Sequence, residues 1–246
     1  MIMHNIRRFL YAIVSVAMIA LSTPLQAKAE LINIQFVTKD SGPPAYTGQT
    51  IAGIPGSTPS SVWNQAVGFN GQIKPLQNSF GTDIKDSSVT FLGETSTVFY
   101  DNSNFVGSPY ENLMTGYIST NKGASMTFTG LNANAKYDLY VYTQGNTEGQ
   151  QLQVGINGVT QKYTSTSNLD LNTFQEGTNY LKVQVLTNGS GGFTLNYVPK
   201  NIAGLNEGII NGLSLSSSAP EPSTVVLVGI GGLLLAFRLR RSPVLI

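Results

Sequence analysis

The chain contains no cysteine, and its only histidine is His4. All five arginines lie near the ends: Arg7 and Arg8, then Arg238, Arg240 and Arg241. Residues 30–218 therefore have no thiol, imidazole or guanidinium group. A Ser-His-Asp triad needs an imidazole base, so that chemistry is excluded from this body. Thiol nucleophiles, Cys/His zinc sites and Cys-ligated iron–sulfur or haem sites are excluded as well. No disulfide can form, so stability outside the cell must come from packing. Charge is sparse too, at 11% of the 246 residues. Residues 30–218 carry eight Lys and twelve Asp/Glu, and 8 − 12 = −4, although the whole chain is +1. An acidic body without the arginine fork argues against nucleic-acid binding. Carboxylate, Lys or Tyr chemistry and oxygen-ligated Ca²⁺ or Mg²⁺ remain open.

The charges missing from the body are at the ends. His4, Arg7 and Arg8 precede an apolar run over residues 9–21. Ala27-Lys28-Ala29 then puts small residues at −3 and −1 for cleavage before Glu30. This pattern predicts a signal peptide over residues 1–29, handled by signal peptidase and the general secretion machinery. The alternative is an uncleaved anchor, for which the apolar core is short.

At the other end, Ala219-Pro220-Glu221-Pro222-Ser223-Thr224 leads into apolar residues 225–237, then Arg238-Leu239-Arg240-Arg241. Thirteen residues of helix reach about 20 Å, less than a hydrocarbon core of about 30 Å. Starting the helix at Pro222 and letting the Arg side chains snorkel extends its reach. A transmembrane helix and basic tail are expected over residues 223–246, with the Arg cluster cytoplasmic and the body outside. Gly229, Gly231 and Gly232 give that helix a small-residue face. A buried hairpin or core helix is the competing expectation.

Pro220-Glu221-Pro222, a glycine-bearing apolar helix and a basic stop of Arg238, Arg240 and Arg241, in that order, resemble the PEP-CTERM sorting signal of exported bacterial proteins. The resemblance covers about 27 residues. It implies recognition by an exosortase, a membrane-embedded cysteine protease, in Gram-negative bacteria that make exopolysaccharide. The chain departs from the pattern by adding Ser242-Pro243-Val244-Leu245-Ile246 after the basic cluster.

Residues 30–218 show no long 3.6-residue apolar period. Short β-rich runs occur at 31–37, 88–92, 125–129, 137–143, 152–156, 180–186, 192–197 and 209–215, separated by Gly, Pro, Asn and Ser clusters. That spacing predicts a sandwich or barrel, all-β and antiparallel, as a single ectodomain over residues 30–215. Asn157-Gly158 is the clearest hairpin signal. Asn70-Gly71, Asn188-Gly189 and Asn211-Gly212 are ambiguous, and the last could be a bulge inside a strand. Tyr137, Leu139 and Val141 alternate with Asp138, Tyr140 and Tyr142, which predicts a strand covered on both faces. Residues 38–87 read as long loops, 111–117 as a short helix, and 216–222 as an exposed tether.

Residues 126–131, 137–142 and 210–215, with Trp63-Asn64, are similar to the β-sandwich ectodomain common among PEP-CTERM proteins. The final strand also resembles that of galactose-binding-like and malectin-like domains. This implies a jelly-roll-like sandwich and a carbohydrate ligand.

Trp63 and Asn64 are the candidate ligand-binding residues, since an aromatic platform beside an amide suits a sugar. The competing expectation is that Trp63 packs as a lid on the core and Asn64 caps a turn. Asn168-x-Asp170-x-Asn172 and Asp101-x-Ser103 imitate Ca²⁺ loops. The first has Thr173 where an EF-hand needs Gly and Asn179 where it needs Glu, so an Asx-rich turn is favoured. Asp83/Asp86 and Glu94/Asp101 are nearby carboxylates, but nothing marks a catalytic pair. The expectation is a non-enzymatic, exported surface or matrix protein that needs no cofactor and binds no nucleic acid. Its partners would be the membrane, an exosortase and extracellular polysaccharide. A lectin-like module is the first alternative, and a carboxylate-dependent polysaccharide-cleaving enzyme the second.

Overall fold

The computed structural model describes residues 30–39, 45–49, 54, 57–59, 61–98, 105–145, 150–164, 173–200 and 207–217. The expected signal peptide, its Ala27 and Ala29, the Pro-Glu-Pro motif, the transmembrane helix and the Arg cluster all lie outside these residues. So do Asp101, Ser103, Asn168, Asp170 and Asn172. The described residues fall in one compact unit, Ala29–Ser218.

Strand β1 (Leu31–Val37) opens the unit, followed by β2 (Asn64–Val67), β3 (Asn70–Ile73), β4 (Leu76–Gln77), β5 (Asp83–Ile84), β6 (Ser88–Leu92) and β7 (Thr95–Val98). A single helical turn, α1 (Glu111–Thr115), leads into β8 (Gly116–Thr120) and β9 (Ala124–Thr129). Then come β10 (Lys136–Tyr142), β11 (Leu152–Ile156), β12 (Val159–Tyr163), β13 (Tyr180–Leu186), β14 (Phe193–Pro199), β15 (Gly208–Ile210) and β16 (Gly212–Ser217).

Two large sheets carry the fold, one of five strands in the order β13-β10-β16-β1-β2 and one of six in the order β12-β11-β14-β9-β6-β3. Their strand pairs are antiparallel except β1 with β2, which run parallel. Alternation in the sequence sets the inner faces. Leu181, Val183 and Val185 point inward from β13, as do Phe193, Leu195 and Tyr197 from β14. Both sheets contribute to one hydrophobic cluster, so they form a sandwich. Phe36 of β1 meets Phe91 of β6 edge-on at 5.9 Å across the sheets. Each such side chain, once buried, contributes about 1.5–3 kcal/mol.

The Asn157-Gly158 hairpin forms as its residues require. Asn157 has φ 51° and Gly158 has φ 81°, the left-handed pair of a type I′ turn. β10 is also covered on both faces, as its composition predicts. Tyr137, Leu139 and Val141 enter the main core, while Tyr140 and Tyr142 enter a second cluster on the outer face.

Three expectations need correction. Residues 38–87 contain β2, β3, β4 and β5 as well as loops. These strands are two to four residues long, too short to leave a clear period. Residues 209–215 do not form one strand, because the chain changes sheets at Asn211. β15 pairs with β8 in a three-stranded sheet, and β16 enters the five-stranded one. The expected tether starts later than residue 216: Ser216 pairs with Leu31, and Ser217 pairs with Tyr137.

Candidate functional site

The outer face of the five-stranded sheet is polar yet buried. Asn33, Gln35, Ser214 and Ser216 point outward from β1 and β16 and are at most 2% exposed. A covering layer supplied by the long β1–β2 connection and α1 satisfies the two amides, while Ser214 bonds within the sheet. Asn33 Nδ2 donates to the Val62 carbonyl at 3.2 Å. Gln35 Nε2 donates to the Asn112 carbonyl at 2.8 Å, and its Oε1 accepts from Tyr46 N–H at 2.8 Å. Ser214 Oγ donates to Asn33 Oδ1 at 2.8 Å. A buried amide with a vacant position would cost about 1–3 kcal/mol, so these bonds fix where the layer sits.

Trp63 and Asn64 belong to this layer. Trp63 is 5% exposed and packs on Tyr46 at 5.1 Å and Tyr142 at 5.9 Å. Its Nε1–H donates to the Gly48 carbonyl at 3.2 Å. Asn64 Nδ2 donates to the carbonyls of Asn33 and Gln77 at 2.9 and 2.8 Å, and Oδ1 accepts from Gln77 N–H at 2.8 Å. The structure thus brings the pair together as a lid and a clamp between β1, β2 and β4.

From Trp63 the aromatic contacts run outward through Tyr142 to Phe174 at 5.3 Å, and from Phe174 to Tyr110 at 4.8 Å and Tyr180 at 6.4 Å. Phe174, Tyr110 and Tyr180 are partly exposed. Tyr180 lies 6.4 Å from Tyr140, beside the Lys182–Asp138 ion pair at 2.9 Å. Burial raises the Tyr180 phenol, and the Asp138 hydrogen bond raises the Lys182 ammonium.

The two ends of this sheet differ. At one end β1 begins and β16 ends. Glu30 N–H donates to Ser217 Oγ at 2.6 Å, and Ser217 N–H donates to the Glu30 carbonyl at 2.8 Å. Burial raises the Glu30 carboxyl. The nearby connections are short: 130–135, 157–158 and 187–192. At the opposite end the connections 38–63, 143–151, 164–179 and 200–207 are longer. Thr38, Gln144 and Gln151 stand at that end, and among the described residues Thr38 Oγ1, Gln144 Nε2 and both amide atoms of Gln151 are buried without a hydrogen-bond partner. The orientation of Gln144 is fixed. Asn179 Nδ2 donates to Gln144 Oε1 at 3.0 Å, while Asn179 Oδ1 accepts from Gln175 N–H at 2.8 Å. No local signal marks this cluster, because a glutamine at a strand end reads as solvent-facing.

Most of the described carboxylates serve the fold. Glu94 accepts from Asn121 N–H, Glu111 from Gly107 N–H at 2.8 Å and Asp83 from Gln77 Nε2 at 3.0 Å. Glu176 pairs with Lys162 at 2.6 Å, and Glu207 accepts from Gln150 Nε2 at 2.6 Å. Among the described residues no group of three His, Cys, Asp or Glu side chains could hold a metal ion.

With the body folded through Ser217, the chain beyond it begins at the residues of the sorting pattern. Residues 218–241 match the PEP-CTERM protein-sorting motif. The chain carries this signal. A PEP-CTERM signal implies export, exosortase processing and C-terminal membrane anchoring. Among the described residues no helix is long and apolar enough to cross a membrane, and residues 225–237 lie outside them.

No curated protein matches the chain. Among solved structures, the ANX2 ectodomain from Arabidopsis thaliana is 12% identical, with 57% of this chain and 53% of that one covered, at a TM-score of 0.39. The ANX1 ectodomain from the same plant is 15% identical over 58% and 54%, at 0.38. The plant receptor-like kinase FER is 13% identical over 77% and 42%, at 0.43. The chain thus spans about half the length of these structures.

Proposed function

We propose that the chain is an exported bacterial surface or extracellular-matrix protein, delivered by its PEP-CTERM signal to an exosortase. Its β-sandwich body is non-enzymatic and associates with extracellular polysaccharide. The PEP-CTERM match at residues 218–241 carries the sorting part of this reading. The signal peptide over residues 1–29, cleaved after Ala29, supplies export. Support for a non-catalytic body comes from its lack of Cys, His and Arg and from carboxylates committed to turns and ion pairs. Twenty Asn within residues 30–218 supply neutral donors and acceptors suited to a hydrated matrix.

Deleting residues 219–246 tests the sorting reading by cell fractionation and mass of the exported form. Loss of membrane retention and of the processed mass is expected. Unchanged location and processed mass would refute it.

A second reading, a lectin-like module, draws on Gln144 Nε2 and the Gln151 amide at the long-loop end, which find no partner among the described residues. Hydroxyl groups both donate and accept, so a sugar could satisfy a lone amide there. Calorimetry of the full chain with neutral sugars, in a sugar-free detergent, tests it. Saturable binding that Gln144→Met removes is expected, and absence of saturation defeats the reading.

A further inference from the structure

We infer that the short-turn end of the sandwich, where Glu30 and Ser217 are clasped, is a docking face for the membrane-embedded enzyme that processes the C-terminal signal. The inference rests on the sorting reading above and adds the surface that meets the enzyme.

The argument begins with chain length. β16 is hydrogen-bonded through Ser217, and Pro220 follows three residues later. Three extended residues reach about 10 Å. Ser217 is held from two sides, by the Glu30 clasp and by pairing with Tyr137 of β10. The strand therefore cannot peel away to lengthen the tether without breaking the centre of the five-stranded sheet. An enzyme that grips Pro220, Glu221 and Pro222 must come within about 10 Å of this end of the body.

The face is rigid enough to dock. Its turns at 130–135 and 187–192 brace each other: Leu131 N–H donates to the Gly191 carbonyl at 3.0 Å, and Asn134 N–H to the Asn188 carbonyl at 3.1 Å. Thr187 Oγ1 donates to the Asn132 carbonyl at 2.6 Å.

Its chemistry suits protein better than lipid. Leu186 is 58% exposed beside exposed Asn132, Asn134 and Asn188, and Val159, after the 157–158 turn of the other sheet at the same end, is 63% exposed. Lys85 and Lys136 are balanced by Asp86 and Glu30, so the face lacks the positive excess that anionic lipid attracts. Neutral amides around exposed apolar anchors make a protein-binding surface.

Pulse–chase of the full chain in a host with the exosortase tests the idea, read as the rate at which the processed form appears. Leu186→Asp and Lys136→Glu change exposed side chains on the face. Phe69→Asp, on the β2–β3 turn at the opposite end, is the control. Leu186→Asp is expected to slow processing at least fivefold, and Phe69→Asp less than twofold. Twenty Gly/Ser residues inserted between Ser218 and Ala219 should free processing from the face and erase the Leu186→Asp difference. Equal rates for Leu186→Asp and the wild type at the native tether length overturn the proposal. If Lys136→Glu produces the whole loss and Leu186→Asp none, the face reads lipid charge, and the protein-contact proposal falls. If the wild type gives no processed form at all, the sorting reading fails, and the docking face with it.

Discussion

Asn211 stands at the point where the chain leaves one sheet for another, and its removal is the most informative perturbation of the body. Its side chain is fully buried and makes three hydrogen bonds. Oδ1 accepts from Gln144 N–H at 2.7 Å, and Nδ2 donates to the carbonyls of Met114 and Gly116, both at 3.1 Å. Asn211→Ala leaves one donor and two acceptors buried. At about 1–3 kcal/mol for each buried group that loses this bond, offset in part by local relaxation, the expected loss is about 3–5 kcal/mol. That is a fifth or more of the stability of a typical domain. Trp63 is the only tryptophan and packs against Tyr142, whose carbonyl accepts from Asn211 N–H. Urea unfolding followed by its fluorescence therefore reads the same neighbourhood. Asn211→Asp sharpens the test. It keeps an acceptor for Gln144 but turns the other group toward two carbonyls, so it should be at least as damaging at pH 7. Protonation at low pH restores a donor and should recover part of the loss. A change below about 1 kcal/mol for Asn211→Ala would refute the claim that this amide holds α1 and β8 to the sheet.

Trp63→Ala should destabilise the fold by about 3–5 kcal/mol, as removal of a large buried ring does. Normal stability with loss of sugar binding would show instead that the indole is a ligand platform. Gly191→Ala should unfold the short-turn end. Gly191 has φ 73°, and a Cβ there would lie 1.9 Å from the Leu131 carbonyl oxygen. A melting temperature within a degree or two of wild type would disprove that contact. Burial raises the Tyr46 and Tyr197 phenols above their ordinary value of 10.0. The folded form then keeps protons that the unfolded chain releases above about pH 10, so stability is full below that pH and falls as pH rises beyond it. A urea midpoint unchanged between pH 9 and pH 11.5 would contradict this.

The parts of this fold that were legible in the sequence are those governed by a two-residue period. β11 and β13 each present alternating or turn-bounded segments, and their limits match the β-rich runs at 152–156 and 180–186. Asn157-Gly158 fixes one hairpin by backbone chemistry alone. The covering layer was not legible, because its cause is not local. Asn33 and Gln35 look like the solvent face of β1, yet both are buried, because backbone groups from residues 46, 62 and 112 satisfy them. Trp63 and Asn64 were a plausible sugar pair for the same reason: composition shows an aromatic beside an amide, while only the fold shows both already engaged. The change of sheet at Asn211 depended on partners almost a hundred residues earlier, at Met114 and Gly116.

Strand order ties the body to its address. β16 is the last strand among the described residues but sits between β10 and β1, in the middle of the five-stranded sheet. Its closure against β1 joins residues 187 apart, as the Glu30–Ser217 bond shows. Contacts of such separation form late, since the loop-closure cost comes before they contribute. Under the proposed export from the N-terminus, β16 arrives just ahead of the sorting signal. Removing β16 with everything after it, by stopping the chain at Asn211, should leave β1 and β10 with unpaired edges and no complete core. Adding the segment back as a separate peptide of residues 212–217 should restore protease resistance, because it supplies the missing ladder on both sides. A truncated chain as protease-resistant as the full one would show that the sheet closes without β16. The folded body would then place no constraint on when its sorting signal is read.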